Sequence, residues 1–390
     1  MLTSLAYIFL IGILVGSIFN KFRLPRLLGM ILTGIIIGPY AFNILDGSIL
    51  SISTDLRKLA LIIILTRAGL ALDFGDLKKV GRPAILMCFL PACFEILAMV
   101  MIAPKLIGIS TLDAAIMGAV VAAVSPAVIV PRMLNLIEKK CGTDKSIPQL
   151  IMAGASVDDV FVIVLFTSFI GLAQGQKMSA MSFAQIPISI IMGILVGIVL
   201  GGFLVLFFKR ININDTMKVI ILLSLSFLLV AIEDKLKGIF PISGLIAIMS
   251  IGVALQKRDS KLAKSISIKF SNLWIGAEVV LFVLVGATVD INYAISAGSA
   301  AVILIFIVLI FRMIGVYCCL IKSNLSIKER IFCMIAYTPK ATVQAAIGAI
   351  PLSMGLPCGK IVLTVAVLSI LVTAPLGAFF IDITYKKLLK

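Results

Sequence analysis

Apolar stretches of membrane-spanning length follow one another along almost the whole chain, separated by short segments rich in lysine and arginine. At roughly 1.5 Å per residue, about twenty residues of helix cross the hydrocarbon core of a bilayer. Lipid offers the backbone no hydrogen bonds, so a chain written this way must satisfy its N–H and C=O groups inside helices. The 390 residues are 61% hydrophobic and only 13% charged, unlike a soluble domain. The pattern predicts an all-α polytopic membrane protein. About thirteen transmembrane helices are expected, over 2–19, 27–44, 58–73, 83–104, 111–131, 148–173, 184–208, 216–233, 240–256, 271–289, 297–320, 331–355 and 360–382. The first stretch has no basic leader and no small-residue cleavage site, so it is expected to stay as a helix.

The formal net charge of +16 could point to nucleic acid, but its placement argues for topology. Twenty-four basic residues fall in alternate loops, around Lys21, Arg23, Arg26; Lys78, Lys79, Arg82; Arg132, Lys139, Lys140, Lys145; Lys209, Arg210, Lys218; Lys257 to Lys269; Lys322, Lys328, Arg330; and Lys386, Lys387, Lys390. The opposite side holds seven: Arg57, Lys58, Lys105, Lys177, Lys235, Lys237 and Lys360. The positive-inside rule puts the richer side in the cytoplasm, with the C-terminus inside and the N-terminus outside. No nucleic-acid partner is expected; the surroundings are a lipid bilayer, with the plasma (inner) membrane of a bacterium as the expected location. Histidine is absent, which removes imidazole relays and His-based metal or triad chemistry. Seven cysteines without C-x-x-C spacing read as small hydrophobes.

The remaining ionisable residues inside apolar runs are Arg67, Arg312, Lys340, Glu95, Asp158, Asp159 and Glu278. Asp158 and Asp159 stand side by side in IPQLIMAGASVDDVFVIVLFTSFIGLAQG. A carboxylate at that depth costs about 3 kcal/mol or more, so the doublet needs a compensating partner, ion or proton.

Three sequence echoes recur in order. LPRLLGMILTGIIIG resembles FPISGLIAIMSIGVA, RAGLALDF resembles VGATVDIN, and SPAVIV resembles TPKATV. Pro25 to Asp73 is 48 residues and Pro241 to Asp290 is 49; Pro25 to Pro126 is 101 and Pro241 to Pro339 is 98. The copies are segments 1–6 and 8–13, with segment 7 between them, so the second copy inserts upside down. Inverted repeats are the architecture of secondary transporters. Segment 7 carries Gly193, Gly197 and Gly201 at four-residue spacing, which suits close helix packing.

Segments 5 and 12 carry Ser125-Pro126 and Thr338-Pro339 near their middles. Proline removes a backbone donor and clashes with the preceding turn, so both helices are expected to break there. Related by the repeat, the two broken helices face each other near the midplane, where free carbonyls and half-helix ends can hold an ion. Lys340 follows Pro339 directly, and its ammonium can neutralise a carboxylate or the carbonyl end of a broken helix.

GASVDDVFVIVLF, VSPAVIVP and YTPKATVQAAIG together resemble the monovalent cation–proton antiporter superfamily, on the two-aspartate branch of NHA-type sodium/proton antiporters. The resemblance spans essentially the whole chain and implies the NhaA-like antiporter fold, with two crossed broken helices. It implies a scaffold or dimerisation domain over 1–80 and 213–293, a core ion-translocation domain over 81–178 and 294–390, a connecting helix over 179–212, and a homodimer. It marks Asp159 as the principal cation and proton carboxylate, with Asp158 its neighbour. Arg312 stands where many relatives carry lysine. Arginine stays charged in a protein, so a structural bridge from Arg312 to Glu95 would leave proton carriage to the aspartates or Lys340.

Sodium and lithium are hard cations that take oxygen ligands. Asp158, Asp159, Ser125, Ser156 and the carbonyls of the breaks can supply them, with Thr338 beside the second break. Neighbouring residues on a helix point about 100° apart, so one aspartate can bind the ion while the other holds a broken helix. Cation and proton then compete for the same oxygens, with no cofactor and no covalent chemistry, and the chain is not read as an enzyme. Arg67 and Glu278, on equivalent segments 3 and 10, read as a scaffold ion pair, or Glu278 as a cytoplasmic cation attractor. Alternatives are a potassium/proton antiporter of the same fold, a passive cation channel, and an intramembrane aspartyl protease. The contiguous aspartates speak against the last, and the lack of a nucleotide-binding tail after 382 against a gated potassium-efflux system.

Overall fold

The computed structural model describes residues 1–22, 24–71, 81–174, 180–211, 213–236 and 242–389, apart from the side chains of Ser156, Val160, 180–187, Ile190, Asp234 and Ala297. The side chain of Ser156, the repeat markers Asp73 and Pro241, and Arg23, Lys78, Lys79, Lys177, Lys237 and Lys390 therefore lie outside the described residues.

The described elements are all helices: α1 (Leu2–Lys21), α2 (Arg26–Ile37), α3 (Gly47–Ser51), α4 (Ser53–Ala71), α5 (Arg82–Met87), α6 (Leu90–Ile107), α7 (Thr111–Val121), α8 (Pro126–Glu138) and α9 (Ile147–Ala173). They continue as α10 (Ala180–Arg210), α11 (Asp215–Leu236), α12 (Gly244–Arg258), α13 (Ser260–Ala287), α14 (Ile291–Leu320), α15 (Ile327–Ala336), α16 (Thr342–Ile347), α17 (Ile350–Ser353) and α18 (Gly359–Leu388). Nine helical spans among the described residues are long and apolar enough to cross a membrane, counting α5–α6 and α7–α8 each as one. Stretches 27–44, 58–73, 240–256 and 331–355 carry helices short of that length or hydropathy. The chain is an integral membrane protein.

It divides into two compact units. One comprises Asp55–Phe74 and Gln174–Glu278. Within it α10 lies along α12, and the face of α10 bearing Gly193, Gly197 and Gly201 makes the approach possible: a methyl on Gly193 would stand 2.7 Å from Ser243 O. Arg67 and Glu278 both belong to this unit and lie within electrostatic reach of each other.

The other comprises Met1–Thr54, Gly75–Ala173 and Val279–Lys390, and holds every ionisable residue of the acid doublet's surroundings. Here α6 lies along α14, while α7 packs beside α6, α9 and α18. Local signals set the helix ends. Ser110 caps α7 by accepting from Asp113 N at 3.0 Å, and Ser326 with Glu329 forms a capping box on α15. The two proline sites act as helix starts. Pro126 occupies the first position of α8, where a missing N–H costs nothing, and residues 122–125 are unwound ahead of it. In the second copy the helix stops after Ala336, runs unwound through 337–341, and resumes at Thr342. A third interruption, which the sequence reading did not anticipate, falls at Cys88–Phe89 between α5 and α6, just ahead of Pro91.

Candidate ion-binding site

An interrupted helix exposes carbonyls at the end of its first half and N–H groups at the start of its second. Deep in an apolar protein each needs a partner. The partners of the first break define the site.

Three successive carbonyls end α7. Val121 O and Ala123 O accept from Gln344 Nε2 at 3.0 and 2.8 Å, and Ala122 O accepts from Arg312 Nη1. Val124 N then donates to Asp158 Oδ2 at 2.9 Å, and Ser125 N donates to Pro339 O at 2.8 Å. That last bond joins the two breaks directly, so the unwound segments of α7–α8 and α15–α16 meet. On the second break, Tyr337 O accepts from Arg312 Nε at 2.8 Å and Lys340 N donates to Thr373 Oγ1 at 3.0 Å. Thr338 turns its hydroxyl back onto Ile335 O at 2.8 Å, so its donor is spent within its own helix.

Arg312 is thus hydrogen-bonded to the carbonyl ends of both first-half helices, where their dipoles leave partial negative charge. Its guanidinium also meets Glu95 Oε2 at 2.9 Å and Asp158 Oδ2 at 2.7 Å, and lies 5.1 Å from the centre of the Tyr337 ring. Lys340 Nζ meets the same Glu95 oxygen at 2.6 Å. Glu95, Asp158, Arg312 and Lys340 are all buried. Glu95 bridges two cations and Arg312 bridges two anions, so the four form one network. The helix crossing that permits it is tight: Gly315 of α14 seats on Pro91 of α6, where a methyl would be 2.8 Å from Pro91 Cα. Arg312 lies one turn before Gly315, and Glu95 one turn after Pro91, so the approach of the two backbones brings the charges together.

Asp159 stands apart. It is buried, and its Oδ1 has no hydrogen-bond partner among the described residues. Ser125 Oγ and Thr342 Oγ1, flanking the two breaks, are also buried and without partners among the described residues, as are Asp158 Oδ1 and Gln344 Oε1. No cluster of three or more acidic or cysteine residues suited to a metal ion occurs among the described residues. Arg67 and Glu278 belong to the other unit. Sequence reasoning missed Gln344, Tyr337 and Thr373. The first two stand within YTPKATVQAAIG, but nothing in their spacing tells which backbone groups they reach.

The family model described as sodium/hydrogen exchanger, transmembrane, matches residues 6–387. The chain belongs to the sodium/hydrogen exchanger family. Sodium/hydrogen exchanger 9B2 of Mus musculus is 32% identical to this exchanger chain over 383 residues, covering 94% of it and 69% of the mouse protein. The human sodium/hydrogen exchanger 9B1 is 31% identical, covering 100% of this chain and 78% of its own length. The fold is that of the sodium proton antiporter MjNhaP1 from Methanocaldococcus jannaschii, with a TM-score of 0.87, 21% identity, and coverage of 100% of this exchanger and 98% of the archaeal chain. The chain thus has the fold and family that the acid doublet and the proline motifs resemble.

Proposed function

We propose that the chain exchanges a monovalent cation, sodium or lithium, for protons across the membrane, and that Asp159 is the carboxylate the two occupy in turn. The observation that carries this reading is the contrast at the doublet: Asp158 Oδ2 is tied to Arg312 and to Val124 N, while Asp159 is buried with its Oδ1 lacking a hydrogen-bond partner among the described residues. Glu95 and Asp158 are two carboxyl groups and Arg312 and Lys340 two basic ones, so the partners in this network are matched among themselves. The charge of Asp159 is left for whatever the protein carries.

A bare buried carboxylate costs several kcal/mol, and a bound cation or a proton removes that cost. Loaded forms therefore cross easily and the empty charged form does not, which is sufficient for exchange. The inverted repeat supports alternating access, with the carrying portion formed by 81–178 and 294–390 moving against 1–80 and 213–293. We place the N-terminus outside and the C-terminus in the cytoplasm of a thirteen-crossing homodimer. If Asp159 alone changes occupant, one cation exchanges for one proton and no net charge moves; a proton carried on Lys340 as well would make the exchange electrogenic. The names of the relatives make sodium the first cation to test.

Purified protein in proteoliposomes tests this. Sodium or lithium uptake should drive proton efflux, run uphill against a proton gradient, and ignore an imposed voltage. Activity with potassium alone would make the chain a potassium/proton exchanger. Flux that never runs uphill would make it a channel and overturn the reading.

A further inference from the structure

Gln344 lies in the second copy of the repeat, two residues into α16, yet its amide is spent on the first copy. It is fully buried. Both of its amide hydrogens go to carbonyls at the end of α7, Val121 O and Ala123 O. Reversing the amide would set Oε1 against two carbonyl oxygens, so its orientation is fixed. Oε1 is turned the other way, buried and without a partner among the described residues.

The peptide between Ala123 and Val124 is held from both sides. Among the described residues no peptide bond is cis, so its C=O and N–H point in opposite directions. Gln344 takes the carbonyl at 2.8 Å, and Asp158 takes the N–H at 2.9 Å. Residues 122–125 lie outside any helix, and side chains hold the carbonyls of Val121, Ala122 and Ala123 and the N–H of Val124. For the carbonyls of Val121 and Ala123 that side chain is Gln344; for Ala122 it is Arg312.

We propose that Gln344 is a positioning residue that sets cation selectivity: it fixes the oxygens of the first break at the spacing a small cation requires. The inference rests on the exchange reading above. Small hard cations are discriminated by how closely and rigidly oxygens can gather round them. Released carbonyls would rotate, widen the frame and admit a larger ion.

The test is cation competition in proteoliposomes with sodium, lithium and potassium, comparing wild type with Gln344→Leu and Gln344→Glu. Leucine fills similar space and donates nothing. We expect the apparent KM for sodium and lithium to rise about three- to tenfold in Gln344→Leu, the equivalent of about 0.7–1.4 kcal/mol. The KM for potassium should stay level or fall, so discrimination falls. A protonated glutamic acid donates one hydrogen bond and an ionised one none. Gln344→Glu should therefore approach wild-type selectivity at acid pH and lose it as pH rises. A Gln344→Leu protein with lowered Vmax or melting temperature but unchanged KM ratios among the three cations would overturn the proposal. If Gln344→Leu does not fold, the Gln344→Glu pH profile decides, and a flat selectivity ratio overturns it. If neither variant folds, the residue is a folding clamp and the proposal fails. A wild-type protein that exchanges no monovalent cation would instead sink the exchange reading.

Discussion

Arg312 Nη2 lies 2.7 Å from Asp158 Oδ2, in a bond that joins residues 154 positions apart in the chain. The same oxygen accepts from Val124 N, so one carboxylate oxygen binds the charge of α14 to the broken end of α7. Asp159, the next residue, keeps an oxygen without a described partner. The two adjacent acids therefore differ in the bonds that Asp158 Oδ2 makes.

Asp159→Asn should abolish cation-driven proton flux and leave the melting temperature close to that of wild type, because no described hydrogen bond is lost. Asp158→Leu should do the reverse in kind. It strips Arg312 of one of two carboxylates in a buried network, a loss of about 3–5 kcal/mol. Thermal unfolding in detergent beside proteoliposome flux separates the two. Equal loss of stability in both variants would contradict the division.

Arg312→Lys should fail to rescue function even though charge is kept. One ammonium cannot reach Tyr337 O, Ala122 O, Glu95 and Asp158 with the planar fork that guanidinium supplies. The expected outcome is a lower melting temperature, by about 1–3 kcal/mol of stability for each backbone acceptor left bare. Wild-type stability in the lysine variant would show that charge alone suffices.

Tyr337 is held at both ends: its hydroxyl donates to Met87 O at 3.0 Å, where α5 stops, and its ring lies against the guanidinium of Arg312. Gly154 of α9 leaves room for it, since a methyl there would come 2.5 Å from the tyrosine oxygen and 2.9 Å from Met87 Cβ. Tyr337→Phe should cost about 1 kcal/mol. Gly154→Ala should cost more, and less in the phenylalanine background than in wild type. A double-mutant cycle of melting temperatures checks this, and strict additivity would refute the contact.

At the turn between α12 and α13, Asp259 accepts from Leu262 N at 3.1 Å and faces Lys209 at 3.6 Å. The Leu262 N–H foremost, with help from the Lys209 ammonium, holds its carboxyl below the ordinary carboxylate range. A group lowered in this way stabilises the folded state above its unfolded pKa of about 4 and loses that contribution as pH falls. Asp259→Ala should therefore lower the melting temperature at pH near 7, by about 1 kcal/mol for a lost cap, and by progressively less in more acid buffer. A difference that grows on acidification would reverse the sign and refute the assignment.

The prolines at 126 and 339 were readable as breaks because the effect of proline on a helix is local. The interruption at Cys88–Phe89 was not, although Pro91 stands two residues further on: proline inside the first turn of a helix is compatible with a continuous span, and what Tyr337 does at Met87 O depends on a residue 250 positions away. The glycines of α10 announced close packing by their spacing but not that the neighbour would be α12. Buried charge was plain, since Glu95, Asp158, Asp159, Arg312 and Lys340 each interrupt an apolar run. The tasks of Gln344 and Thr373 were hidden, because an amide or hydroxyl in an apolar stretch looks the same whether it faces its own helix or another.

The chain by itself determined that it must live in a membrane, that segments of its two halves echo each other in order, and that two helices must break at their prolines. Hydropathy, spacing and proline are properties of residues and their near neighbours, so they survive in one dimension. Only the tertiary structure decided that Arg312 and Lys340 would share Glu95, that Arg312 would also take Asp158, and that Asp159 would be left over. Those choices are made where α14, α6, α9 and the two breaks cross, and the pairing of buried charges is set by distances of a few ångströms between residues far apart in sequence.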